Sequence, residues 1–180
     1  MRHGEAHLLS QDGRDDSRSL TLKGQRQVLG IADRLLTELL HQAVEPVSFC
    51  VANSRLLRSK QTAEILIKSI QHQQNIGSFS QLTDAPLAPN SDLTTCVAWL
   101  DKIYLESAKQ FKLGQEPILI LVSHLPFIEY FLRYLVFDDQ RASTNFFQET
   151  GSCVVLTGEW PAAGEMTISS HLDPADNKFW

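Results

Sequence analysis

The sequence predicts an α/β protein, a three-layer α/β/α sandwich around a mostly parallel sheet, and three observations support this class. Strand-like and helix-like patterns alternate along the chain, as is typical of parallel sheets covered by helices on both faces. The apolar run Ile118 to Val122 is continuous, as expected for a strand buried on both sides. A length of 180 residues with 43% hydrophobic side chains is enough for one domain with its own core, which we place at 1–180.

The first half of the chain contains two predicted helices separated by one predicted strand. Residues 21–40 carry apolar side chains at helical spacing, and Thr21 suits the N-cap position. The apolar stripe consists of Val28, Ala32, Leu35, Leu36 and Leu39. Residues 47–52 form an apolar strand after the breaker Pro46, and residues 55–71 return to a helical pattern. This order of helix, strand and helix is that of a sheet built from parallel strands.

The second half begins with a polar stretch. Residues 72–91 contain Pro86 and Pro89, so we predict a long surface loop there. Residues 92–111 form a third predicted helix, with Phe111 directed inward. Asn90 or Ser91 would cap it. The remaining predicted elements are the strand 118–122, a helix from Pro126 to about Phe137, and the late strands 154–157 and 166–169.

The bulk composition disfavours several classes of function. A net charge of -5 argues against a role along a nucleic-acid backbone, and no apolar run approaches the roughly 20 residues of a membrane span. Residues 1–20 are polar and lack the apolar core of a secretory signal. The three cysteines, Cys50, Cys96 and Cys153, are widely spaced, so we expect them to be reduced and buried in a cytoplasmic protein.

The ends of the two predicted strands carry side chains suited to anion binding. In open parallel sheets, ligands bind beyond the carboxyl ends of the strands. The residues that follow the predicted strands are 53–58 and 123–126. Arg58 offers a planar guanidinium that matches phosphate oxygens, and His124 lies at a helix start, where backbone N–H groups also attract an anion. We therefore expect an anion site at this edge.

Four separated segments carry recognisable motifs. Residues 2–6 read R-H-G-E-A, 20–24 read L-T-L-K-G, 54–63 read S-R-L-L-R-S-K-Q-T-A, and 123–126 read S-H-L-P. In this order they resemble the R-H-G-[ED], L-T-x-x-G, S-x-x-x-R-x-x-Q-T-A and second-histidine motifs of the histidine phosphatase superfamily, with its phosphoglycerate mutase-like fold. The S-H-L-P form is similar to the SixA-type phosphohistidine phosphatase branch. One motif alone is a weak signal, whereas four in order are a strong one.

The resemblance implies a role for each matching position. His3 would be the nucleophile that accepts a phosphoryl group, and His124 would complete the pocket. Arg2 and Arg58 would bind the phosphoryl oxygens, and Arg18, just before the second motif, would add a third guanidinium. Phosphoryl transfer needs an in-line nucleophile and positive charge around three equatorial oxygens. An imidazole with a pKa of about 6.5 is largely neutral at pH 7 and can attack phosphorus.

The candidate substrates differ in the group that leaves phosphorus. An alkoxide needs a general acid, whereas an imidazole leaving group accepts a proton near neutral pH. Other branches of the family place a carboxylic acid after the second helix, where this chain offers Asp84 and Asp92 as possible general acids. Asp92 is alternatively a first-turn helix residue. The resemblance therefore implies a phosphatase for a phosphorylated histidine-phosphotransfer protein in a phosphorelay.

Two other functions stay open at this point. One is a small-molecule phosphomonoesterase or mutase-like relative acting on a small phosphorylated substrate. The other is a phosphate-binding regulatory module without catalysis. No cofactor is expected: the spacing of His3, Glu5 and His7 is not that of H-E-x-x-H, so we expect no metal. Phe146 and Phe147 either wall the mouth of the pocket or pack inside.

The chain departs from the family at its first residues. In the family a hydrophobic strand precedes R-H-G, whereas here Met1 directly precedes Arg2. A missing central strand would leave its two neighbours with unpaired backbone groups and would cost several kcal/mol. We therefore expect a missing or truncated N-terminal strand of about five residues, or another segment in its place. Without it, His3 would be poorly anchored.

Overall fold

A computed structural model of the chain describes residues 1–41, 43, 45–108, 118–137 and 148–174. Four helices and five strands follow one another along these residues, after a short 3₁₀ turn at Asp15–Ser17. The helices are α1 (Leu22–Leu40), α2 (Leu57–Gln71), α3 (Leu93–Ala108) and α4 (Phe127–Phe137). The strands are β1 (Val47–Asn53), β2 (Ile76–Leu82), β3 (Ile118–Val122), β4 (Cys153–Thr157) and β5 (Thr167–Leu172).

The central sheet is parallel and has the order β2-β1-β3. Two apolar cores lie on its opposite faces because successive side chains of a strand alternate between them. Phe49, Val51 and Ile120 pack with α1 and α2, whereas Ala52 and Leu121 pack with α3 and α4. The predicted α/β class, a mostly parallel sheet between two helical layers, is confirmed.

The polar stretch at 72–91 was the main error in the element assignment, because it contains β2. β2 pairs in parallel with β1 at the edge of the sheet. Its apolar residues, Ile76, Phe79 and Leu82, are only partly buried, and every other residue of the strand is exposed. An exposed edge strand needs no period-two apolar alternation, because its backbone bonds to the neighbouring strand define it.

The helix boundaries are close to those predicted. Thr21 is the N-cap of α1, with its side chain accepting a hydrogen bond from the Gly24 N–H, as predicted. α3 is capped differently from the prediction: Asp92, and not Asn90 or Ser91, accepts the Thr95 N–H at 2.8 Å. Phe111, Phe146 and Phe147 lie outside the described residues.

The late strands are confirmed, and they form a separate antiparallel hairpin of β4 and β5. Residues 1–3 lie between this hairpin and β3. The Ser123 N–H donates to Met1 O, and the His3 N–H donates to Ser123 O. On the other side, the Arg2 N–H donates to Ser152 O, and the Gly151 N–H donates to His3 O. The prediction that His3 would be poorly anchored is therefore wrong, since its backbone is bonded on both sides.

Among the described residues, no helix combines the length and apolar character that a membrane crossing requires.

Candidate active site

Two glycines let the first two motif segments cross at close range. A Cβ on Gly24 would lie 2.0 Å from Glu5 O, and a Cβ on Gly4 would lie 2.5 Å from Gly24 O. Neither position can carry a larger residue without moving backbone. The Thr21 N–H also donates to Glu5 O. The glycines of R-H-G and L-T-x-x-G thus have one shared purpose, which is to seat the His3 segment against the start of α1.

The third motif fastens the same segment to α2. Thr62 accepts the Gly4 N–H at 3.2 Å and donates to Arg58 O at 2.8 Å. Gln61 accepts the Leu20 N–H at 2.7 Å. Ser59 donates to Val122 O at 3.0 Å and therefore ties the start of α2 to the end of β3. Thr62, Gln61 and Ser59 thus connect α2 to the first motif, to the second motif and to the end of β3.

His3 is 8% exposed, and the contact of its ring fixes its tautomer. Nδ1 lies 2.7 Å from Gly4 O. Because a carbonyl oxygen only accepts hydrogen bonds, Nδ1 carries the proton. The lone pair of the ring is then on Nε2, which is available as a nucleophile.

The second histidine stands directly beside the first. The ring centroids of His3 and His124 are 4.7 Å apart. The Nε2 atom of His124 lies 2.6 Å from Ser54 Oγ, which also accepts the Leu56 N–H at 3.4 Å. The Ser54 hydroxyl can accept two hydrogen bonds and donate one, so this contact joins the two side chains in either tautomer of His124. Nδ1 of His124 is buried and has no hydrogen-bond partner among the described residues.

Three guanidinium groups surround the histidine pair. Arg58, 5% exposed, binds Asp15 twice, through Nη1 to the backbone O at 2.8 Å and through Nη2 to the carboxylate at 3.0 Å. Arg18 binds the same carboxylate at 2.8 Å. Arg2 donates to Gln148 O at 2.6 Å, and its Nε is buried without a partner among the described residues. The carboxylate of Asp15 therefore bridges two of the three cations.

The positive surroundings keep both histidines neutral. Burial, together with the charges of Arg58, Arg2 and Arg18, lowers the pKa of His3 to about 4, although the hydrogen bond to Gly4 O acts in the opposite direction. Burial, followed by the proximity of His3 and Arg58, lowers the pKa of His124 to about 2. At neutral pH, His124 thus offers one N–H rather than a positive charge. All three arginines act electrostatically on His3, which places them around one site.

The two predicted acids bond to groups other than the histidines. Asp84 is exposed and pairs with Lys60 at 3.4 Å. Asp92 is the cap of α3, where hydrogen bonds from Thr95 lower the pKa of its carboxyl. A carboxylate held in its charged form at a helix start is a poor proton donor, so the first-turn reading of Asp92 fits the structure better.

Three site residues were missed by the sequence reasoning. Asp15 lies in a polar segment with no motif, and Gln148 lies outside all four motif segments. Ser54 was included in the third motif without a role, although its place directly after β1 was a signal. Within the described ranges, no group of three His, Cys, Asp or Glu side chains could hold a metal ion.

Comparisons with known proteins agree with the geometry. No protein-family model matches the chain. An uncharacterised protein of Picosynechococcus sp. is 33% identical over 126 residues, which are 70% of this chain and 64% of that protein. The chain thus spans less than two thirds of the length of this curated relative.

Solved structures share the architecture over almost the whole chain. A protein histidine phosphatase SixA in complex with tungstate matches with a TM-score of 0.72 and 24% identity, over 99% of this chain and 97% of that one. A structure assigned to SixA of Agrobacterium tumefaciens matches with a TM-score of 0.65 and 19% identity, over 97% and 95% of the two chains. An Escherichia coli structure assigned as an α-ribazole-5'-P phosphatase matches with a TM-score of 0.53 and 15% identity, over 94% of both chains. The fold of this chain is therefore that of the solved SixA structures.

Proposed function

We propose that the chain is a phosphatase that removes the phosphoryl group from phosphohistidine in a phosphorylated protein. His3 would carry the group as a covalent intermediate before water releases it. One observation carries the proposal: a buried imidazole with its lone pair on Nε2 stands 4.7 Å from a second neutral imidazole, among three arginines. Such a nucleophile in a ring of donors meets the needs of phosphoryl transfer. The shared fold with a SixA bound to tungstate, a tetrahedral oxyanion like phosphate, supports it.

In the first step, the Nε2 lone pair of His3 attacks phosphorus. The new P–N bond forms as the bond from phosphorus to the substrate's imidazole breaks, and the released imidazole nitrogen takes up a proton from solvent. Arg2, Arg58 and Arg18 neutralise the three equatorial oxygens, and the Nδ1–H of His124 donates to one of them. In the second step, water attacks phosphorus and the P–Nε2 bond breaks. Its electron pair returns to Nε2, and both water hydrogens leave on the phosphate as dihydrogen phosphate.

The contacts of the two candidate general acids support phosphohistidine as the substrate. Asp84 pairs with Lys60, and Asp92 caps α3, so neither stands ready to protonate an alkoxide. A leaving imidazole needs less help, because its own pKa is near neutrality. The site therefore favours a phosphoramidate over a phosphate ester.

The test offers the protein two substrates. A histidine-phosphotransfer protein labelled on its histidine should be dephosphorylated, with a transient acid-labile, base-stable label on the chain. His3→Ala should lose the label and lower the turnover by at least about 10⁴-fold, as expected for removal of a nucleophile. His41→Ala, at the exposed end of α1, is the matched control and should keep full turnover.

Faster turnover of p-nitrophenyl phosphate or sugar phosphates than of the phosphoprotein would instead identify a small-molecule phosphomonoesterase. Phosphate binding without any hydrolysis, unchanged in His3→Ala, would identify a binding module. Turnover without a label on His3 would refute the covalent step.

A further inference from the structure

Two adjacent leucines on the loop between the first and second motifs, Leu8 and Leu9, are almost fully exposed. Leu8 is 88% exposed and Leu9 is 82% exposed, more than any other large hydrophobic residue in the described part of the chain. Burial of a leucine is favourable because it removes apolar surface from water. One exposed leucine is ordinary on a protein surface, whereas neighbouring ones form an apolar patch. The position of this leucine pair therefore decides how it is interpreted.

The leucine pair is joined to the candidate active site through its backbone. The Nε of Arg18 donates to His7 O at 2.5 Å, and this carbonyl belongs to the planar peptide group that links His7 to Leu8. The same arginine binds the Asp15 carboxylate at 2.8 Å. That carboxylate also binds Arg58, the most buried of the three site arginines by its contact. The leucine pair therefore begins directly beside a guanidinium of the site.

The loop that carries the leucine pair is held in place by its own polar groups. The carboxylate of Asp12 accepts hydrogen bonds from the hydroxyls of Ser17 and Ser10. It also accepts the Arg14 N–H at 3.1 Å. These bonds lower the pKa of the Asp12 carboxyl to about 2, so it is charged at neutral pH. On the other side of the pair, the His7 N–H donates to the backbone just before α1. Hydrogen-bonded backbone on both sides thus holds the two leucines toward solvent.

The buried position of the histidines makes the residues around the site important for a protein substrate. His3 and His124 are both buried. A phosphohistidine side chain is only a few bonds long, so the protein that carries it must bring its own surface against the residues at the edge of the site. A small phosphorylated molecule has no such surface. The leucine pair, exposed beside Arg18, is therefore placed to contact a protein substrate and not a small one.

We propose that Leu8 and Leu9 are a docking surface for the phosphoprotein substrate, where they contact an apolar patch next to its phosphohistidine. The inference rests on the proposed function and adds the part of the chain that binds the protein around the phosphoryl group. The partner's patch is apolar, because leucine side chains gain free energy only when they and another apolar surface leave water together. The contact lies outside the reacting atoms and is the same before and during phosphoryl transfer, so it lowers KM and leaves kcat unchanged.

The experiment measures kcat and KM with two substrates, a histidine-phosphotransfer protein phosphorylated on its histidine and free phosphohistidine. The double variant Leu8→Ser, Leu9→Ser should raise KM for the phosphoprotein about tenfold and leave kcat unchanged, since it removes two apolar contacts of the interface. Its kcat and KM for free phosphohistidine should change less than about twofold. The double variant Leu8→Met, Leu9→Met keeps apolar side chains of similar size and should retain nearly the wild-type KM for both substrates.

The matched control is the double variant Leu29→Ser, Leu105→Ser. Both of these leucines are 53% exposed, one on α1 and the other on α3. This variant should leave KM for the phosphoprotein unchanged, because neither residue belongs to the loop beside Arg18. All the variants replace exposed side chains and should keep the wild-type Tm.

Three results would overturn the docking proposal. An unchanged KM for the phosphoprotein in Leu8→Ser, Leu9→Ser would do so and would leave the proposed function intact. An equal loss with free phosphohistidine would mean that the leucines shape the active site itself. Wild-type protein that hydrolyses free phosphohistidine but not the phosphoprotein would refute the proposed function, and the docking surface with it.

Discussion

The space between β3 and β4 is lined differently at its two ends. At the carboxyl end of the sheet, residues 1–3 are bonded on both sides, and His3, His124 and Arg58 are buried. At the other end, the same position is an apolar cavity between β3 and β4. The comparison teaches that the His3 segment is fixed by local contacts. They are the backbone bonds to Ser123 O and Ser152 O and the close approach at Gly4 and Gly24.

If the end of the sheet that holds His3 and His124 is the active site, its arginines should control activity with little effect on stability. Arg58→Ala should lower kcat/KM by about 10³-fold, since it removes the guanidinium that is most buried beside His3. Arg55→Ala, exposed three residues earlier, is the matched control and should change kcat/KM less than twofold. Steady-state kinetics measures both. Equal losses in the two variants would mean that Arg58 does not bind the transferred group.

The close crossing of the R-H-G and L-T-x-x-G segments should be the packing feature near His3 that tolerates substitution least. Gly24→Ala would place its Cβ 2.0 Å from Glu5 O, which forces backbone to move and should lower the free energy of unfolding by about 3 kcal/mol. Gly30→Ala, in the same helix with open space around it, should instead stabilise by about 0.5–1 kcal/mol. Urea denaturation of both variants checks this. An unchanged free energy of unfolding in Gly24→Ala would show that the crossing is as loosely packed as the cavity between β3 and β4.

The buried histidines should make the stability of the protein depend on pH in the acid range. The folded pKa of His3, about 4, is lower than the ordinary 6.5, so the unfolded state binds the extra proton between these values, and stability falls as the pH drops from 7 to 5. The loss from His3 alone should be about 2 kcal/mol. His3→Gln should therefore show a flatter dependence in urea denaturation at the two pH values. The exposed His41→Gln should keep the wild-type slope, and an unchanged slope in His3→Gln would contradict the burial argument.

The smallest expected effect concerns Asp15, whose carboxylate occupies two of the three cations in the unliganded protein. An incoming phosphate must compete with it, so Asp15→Asn should lower the Kd of inorganic phosphate about fivefold, a change of about 1 kcal/mol. Asp16→Asn, which removes the neighbouring ion pair with Arg14, should leave the Kd unchanged. Isothermal titration calorimetry measures both. Weaker phosphate binding in Asp15→Asn would mean that Asp15 positions the arginines for phosphate and does not compete with it.

Much of the fold and site could be predicted from local patterns. The helical stripe of α1, the cap at Thr21 and the apolar run of β3 each depend on neighbours a few residues away, and all three were predicted correctly. Arg58 and His124 were predicted to share a sheet edge, because the carboxyl ends of parallel strands always do. His124 lies beside His3, and the charge of Arg58 contributes to the lowered pKa of His3.

The rest depended on partners far away in the sequence. β2 is a strand because β1 offers its edge, not because its own residues alternate. Asp92 is a cap through Thr95, a contact that Asn90 or Ser91 would have made equally well by propensity.

By itself, the sequence determined the class of the fold, the order of its elements and the set of histidines and arginines at one edge. These follow from hydrophobic periodicity and motif order, which are local properties of the chain. Only the tertiary structure decided that Nε2 of His3 carries the lone pair, that Asp15 bridges two arginines, and that an apolar cavity lies between β3 and β4. Each of these depends on atoms brought together across many residues, since a hydrogen bond, an ion pair or a cavity is defined by its neighbours in space.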